Sequence, residues 1–132
     1  MSRFWRDDDG AVAVTVAVML VVLVLFAAIA VDLGYLFTVR RQLQTAADAA
    51  ALAGARLLAE GDGNVAILAE AAHYAEDMNS VAPGENLWMV AGAPETEVGA
   101  DYVQVTVAKD APLFFGRILG SSFTEVKASA RA

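Results

Sequence analysis

The sequence predicts an α+β membrane protein: a transmembrane helix continuing into an alanine-rich extramembrane rod, a second amphipathic helix, and a β-sheet of about three strands with a short intervening helix. Three observations carry this. Ala11 to Val31 is uncharged, with Thr15 its only polar residue. Leu33 to Glu60 has no proline and repeats its small and apolar residues every three or four positions. Tyr102 to Val107 and Phe123 to Ala130 alternate apolar and polar residues with the period of a strand.

At about 1.5 Å per helical residue, Ala11 to Val31 covers roughly 30 Å, the hydrocarbon thickness of a bilayer. A cleaved secretory signal is the rival reading, and Ala28-Ile29-Ala30 has the small-x-small form of a cleavage site. A signal's apolar region is about 7 to 15 residues long, and this run is longer. The chain therefore divides into a cytoplasmic flank over 1–10, a span over 11–31, an extramembrane helix over 32–60 and a small extracytoplasmic α+β domain over 64–132. Arg3 and Arg6 on the short flank, against Arg40 and Arg41 farther from the span, place the N-terminus inside.

A hydrophobic fraction of 58% in 132 residues exceeds that of most soluble domains of this size. Setting aside Asp7, Asp8 and Asp9, with Arg3 and Arg6, leaves thirteen acids and seven bases after the span. That balance excludes nucleic acid, whose phosphates require a basic face. The chain has no cysteine, so disulfides and thiolate metal sites are impossible.

In the rod, Leu43, Ala46, Ala47, Ala50, Ala53, Gly54 and Leu57 form the apolar side, and Arg40, Arg41, Gln44, Asp48 and Arg56 the polar one. Small residues also fall at strict four-residue steps: Ala46, Ala50 and Gly54 in one row, Ala47, Ala51 and Ala55 in the next. Such rows allow backbones to approach closely, either against neighbouring rods, including a second copy of the chain, or against the chain's own domain. Gly61-Asp62-Gly63 ends the rod, and Asn64 is placed to cap a second helix over Val65 to Asn79. Leu68, Ala71, Ala72, Ala75 and Met78 give that helix its apolar face.

Pro83-Gly84 opens a loop, with a weak strand after it at Leu87 to Val90 and the clear one at Tyr102 to Val107, in which Val103, Val105 and Val107 face one way. Pro112 suits the first turn of a short helix containing Leu113, Phe114, Phe115, Ile118 and Leu119, with Gly120 as its terminator. In the last strand Val126, Ala128 and Ala130 oppose Glu125, Lys127 and Ser129. Three short strands require an apolar cover, and the alanine face of the rod is the nearest one. Trp88, Phe114, Phe115 and Phe123 are expected in the core, with an exposed sticky patch as the alternative.

The segment from Gly10 to Ala55 resembles the N-terminal region of TadG-like proteins of Flp (tight-adherence) pilus assembly. The resemblance rests on Gly-Ala before the apolar run, Ala-Val-Asp-Leu-Gly at Ala30 to Gly34, Tyr-Leu-x-x-x-Arg-Arg at Tyr35 to Arg41, and the alanine-rich run from Leu43 to Ala55. It covers about a third of the chain. The Pro-Leu-Phe-Phe-Gly stretch and the closing Val-Lys-Ala-Ser-Ala-Arg-Ala strand are similar to the C-terminal parts of such proteins. The resemblance implies a location in the bacterial cytoplasmic membrane, the bulk outside it, and a place in a surface filament if the chain is a filament subunit. Prepilins of the type IV-like class are cut after a glycine and usually carry glutamate at the fifth mature position. Here Gly10 and Ala11 flank the corresponding bond, and Thr15 stands where the glutamate belongs. Thr15 cannot form the ion pair with a neighbour's N-terminal amine that offsets burial of both charges.

No phosphate loop, nucleophile elbow or metalloprotease helix is present, so no enzyme activity and no cofactor are expected. Asp7-Asp8-Asp9 reads as a solvated charge run and His73 as a surface residue among Glu70, Glu76 and Asp77. The expected role is structural: an assembly factor or minor pilin-like subunit whose partners are the bilayer and other pilin-like or Tad-system membrane proteins, with a homo-oligomer as one form. The alternative is a membrane-tethered module that binds an envelope ligand and takes no part in a filament.

Overall fold

The computed structural model describes residues 8–79, 87–92, 94–120 and 122–132. Arg3, Arg6, Asp7 and the Pro83-Gly84 loop lie outside the described residues. One helix, α1 (Asp8–Glu60), runs through the apolar segment and the alanine-rich segment without a break. It starts three residues before Ala11, where the uncharged run begins. Its end is a Schellman motif: the Gly61 amide donates to the Leu58 carbonyl (3.1 Å), the Asp62 amide to that of Leu57 (3.0 Å), and Gly61 takes φ +87°, which suits a residue without a Cβ.

The chain then reverses into α2 (Asn64–Ala72), continued by a π-helical turn (His73–Asp77). Gly63, not Asn64, is the N-cap, and no side-chain hydrogen bond caps this helix. The Gly63 carbonyl receives the amides of Ala66 and Ile67 instead. The buried stripe is Ile67, Ala71 and Ala75, one turn apart each, while Met78, expected on that face, is exposed.

The sheet has four described strands: β1 (Leu87–Met89), β2 (Glu97–Val98), β3 (Val103–Pro112) and β4 (Phe123–Arg131). All pairings are antiparallel to β3, with β1 and β2 along one edge and β4 along the full length of the other, from Gln104 opposite Arg131 to Pro112 opposite Phe123. The additional strand, β2, has two residues and so leaves no alternation to read. A Thr96 hydroxyl that accepts the Thr106 amide (3.2 Å) fills the gap between β1 and β2 on that edge.

β3 and β4 lie along α1. Gly54 sits against Val103 at one end and Asp32 meets Phe114 at the other. The helix rises about 33 Å between residues 32 and 54, and β3 rises about 30 Å between 103 and 112, two residues short of Phe114, so the two are comparable in length. Val103, Val105 and Val107 point into the interface as expected, joined by Ala111, and meet Leu43, Ala46, Ala47 and Ala50 of α1 and the Ile67 stripe of α2 in one core. The second half of α1 and the described elements that come after it therefore share their buried surface.

Candidate functional site: the helix–hairpin junction

Gly10, Ala11 and Thr15 lie on the first turns of α1 and are exposed. The Thr15 hydroxyl donates to the Ala11 carbonyl one turn back (2.9 Å), which satisfies it within the helix.

The two small-residue rows have a different setting. Ala46, Ala47, Ala50, Ala51 and Gly54 are buried and Ala55 half-buried, covered by the chain's own β3, β4 and α2. A Cβ built on Gly54 would stand 2.9 Å from Val103 Cγ1 and 3.4 Å from Ile67 Cγ2, so at this point three elements approach as closely as glycine allows. Of the two settings open to these rows, the structure has the intramolecular one. Periodicity marks a close-packing face but carries no information on whose backbone approaches it.

The junction that sequence reading passed over centres on Asp32. This carboxylate is 9% exposed and collects three successive amides of the β3–β4 loop: Phe114 to Oδ1 (3.0 Å), Phe115 shared between Oδ1 (3.3 Å) and Oδ2 (3.1 Å), and Gly116 to Oδ2 (2.9 Å). Charge-assisted bonds of this type are about twice as strong as neutral ones. They set the loop's course: Pro112 ends β3 rather than opening a helix, and only the 3-10 turn Gly116–Leu119 comes after it, closed by Gly120 at φ +87°. Tyr35, one turn beyond Asp32, packs edge-on against Phe114 at 5.8 Å. One signal was available: Asp32 is the sole acid between Asp9 and Asp48, and an ionisable residue at the edge of an apolar run demands a partner.

The aromatic residues expected in the core are not there. Phe114 is 62% exposed and Phe123 59%, with Phe115 also at the surface and Trp88 half-buried. Of these, Phe115 lies with Leu113 and Ile118, the last 80% exposed, beside Val24, Ala28 and Ile29 in the apolar part of α1.

At the opposite end of the sheet, Tyr102 donates its hydroxyl to Glu97 while the Arg131 guanidinium lies 3.4 Å above its ring. The bond to Glu97, helped by partial desolvation and the carboxylate's charge, raises the phenol above its ordinary value near 10, against the opposing pull of Arg131. His73 pairs with Asp77 (2.9 Å) on the π-helical turn. No group of three or more metal-ligating side chains converges among the described residues.

The arrangement defines a class: an α+β protein organised along one helix whose N-terminal portion is long and apolar enough to cross a membrane and is left almost wholly uncovered. Residues 10–57 match the model of the Tad family, the TadE/G-like proteins of Flp pilus assembly. That match connects the chain to Flp/Tad pilus function in general. No curated protein and no solved structure matches the chain.

Proposed function

We propose that this chain is a single-pass component of a bacterial cytoplasmic membrane, N-terminus inside and bulk extracytoplasmic, that serves the Flp/Tad pilus system structurally, as an assembly factor or minor pilin-like subunit. The observation that carries the reading is the coincidence of the TadE/G-like match over 10–57 with an apolar helical segment that nothing in the fold covers. Val12, Leu20, Leu23 and Phe26 are all exposed, and leaving such a surface in water costs roughly 25 cal/mol per Å². A bilayer or neighbouring spans remove that cost.

Because the alanine rows are used internally, contacts with other pilin-like or Tad-system membrane proteins run through the span. The role needs neither a catalytic group nor a cofactor. The N-terminal mass of the protein extracted from its native membrane tests the finer assignment. A chain beginning at Ala11 makes it a processed, pilin-like subunit; a chain retaining the residues before Gly10 makes it a permanent anchor and assembly factor. Recovery of the chain in the soluble fraction overturns both.

A further inference from the structure

We infer that the β3–β4 loop is itself seated in the bilayer beside the span, with Leu113, Phe115 and Ile118 among lipid acyl chains and Asp32 as the latch that keeps its backbone satisfied there. The inference rests on the reading of the apolar part of α1 as a membrane span and deepens it. A groove of about 360 Å³ lies between the two, lined by Val24, Ala28 and Ile29 of α1 and by Leu113, Phe115 and Ile118 of the loop. Val24 is eight residues before Asp32, so the loop's side chains reach about 12 Å down the helix, well within a hydrocarbon half-thickness of about 15 Å. A bilayer that surrounds Val24 and Ile29 therefore also surrounds the side chains that pack beside them. The lipid surface is thus continuous from the span to the loop.

Composition and backbone agree with that position. From Pro112 to Phe123 the only charged side chain is Arg117, whose long stem lets its guanidinium reach the headgroup level while neighbouring residues stay in the apolar layer. Non-helical backbone survives at membrane depth only if its polar groups are satisfied internally. Here the amides of Phe114, Phe115 and Gly116 go to Asp32, that of Leu113 to the Ser122 carbonyl (3.1 Å), that of Ile118 to Phe115 (3.0 Å) and that of Gly120 to Arg117 (3.2 Å). Asp32 thus supplies within the protein the acceptor that water would otherwise provide for three successive amides.

The cysteine-free chain makes the test direct. Full-length protein in nanodiscs of phosphatidylcholine and phosphatidylglycerol is spin-labelled singly at Leu23→Cys in the span, Ile118→Cys in the loop, or Val65→Cys at the start of α2, and its collisions with oxygen and with a water-soluble nickel chelate are compared. The expected result is an oxygen-to-nickel ratio at 118 that resembles that at 23 and exceeds that at 65 several-fold. Adding Asp32→Ala should raise nickel access at 118 several-fold. If 23 is itself open to nickel, the membrane reading fails. If 23 is lipid-exposed and 118 is open to nickel, the loop inference alone is overturned. Protection of 118 from both reagents also overturns it and assigns the patch to a protein contact.

Discussion

Replacing Asp32 with alanine leaves the amides of Phe114, Phe115 and Gly116 without their acceptor, and an unsatisfied buried donor costs roughly 1–3 kcal/mol. Some of these amides will find water or lipid carbonyls, so Asp32→Ala is expected to destabilise the folded chain by about 2–4 kcal/mol. Hydrogen exchange at 114–116 should accelerate while the helical circular dichroism holds; unchanged exchange would refute the latch. A second residue-scale prediction contrasts two glycines of α1. A Cβ at Gly34 meets nothing within 4 Å, so Gly34→Ala should stabilise by about 0.5–1 kcal/mol through helix propensity. At Gly54 the added methyl overlaps Val103, and overpacking of about 1–3 kcal/mol outweighs that gain. The thermal midpoints of the two variants in one detergent should move in opposite directions. At Tyr102 the folded chain holds the phenol's proton more tightly than the unfolded chain does. Its stabilising contribution is complete below pH about 10 and is lost as pH rises through the raised folded value. Phenolate absorbance should show one tyrosine titrating late, and Glu97→Gln should return it towards the ordinary value.

Among the elements, α1 and the β3–β4 hairpin depend on each other. The helix supplies small side chains, the hairpin supplies Val103, Val105 and Val107, and their comparable lengths allow continuous contact from Gly54 to Asp32. A fragment ending at residue 63 would uncover Leu43, Ala46, Ala47 and Ala50. It is expected to self-associate in detergent more strongly than the full chain, read as mass by light scattering; a fragment no more associated than the full chain would show that the hairpin is not the cover these residues need. Legibility varied by element for physical reasons. The helix end at Gly61 and the strand at Val103 to Val107 were readable because cap glycines and period-two alternation are local. The short helix between the last two strands is present and ends at Gly120 as expected, but it begins at Gly116 and not at Pro112, because Asp32, 82 residues before Phe114, claims the amides that decide the loop's path. The π-helical turn at His73–Asp77 has no local sequence signature that announces it.

For the whole molecule, the proposed orientation predicts that a cysteine at Val65, 85% exposed, reacts with a membrane-impermeant maleimide added outside intact spheroplasts. Reaction only after lysis would reverse the orientation. The sequence by itself determined that there is one uncharged segment of bilayer length, that the helix continues beyond it with a small-residue face, that a glycine pair ends it, and that strands come after. These are properties of spacing and composition, and they act over a turn or a few residues. Only the tertiary structure decided what covers the alanine face, where the aromatic side chains go, and which groups Asp32 holds. Periodicity states which side of an element is apolar; the partner of that side is chosen by contacts between residues distant in the chain, and those exist only once the hairpin has packed along the helix.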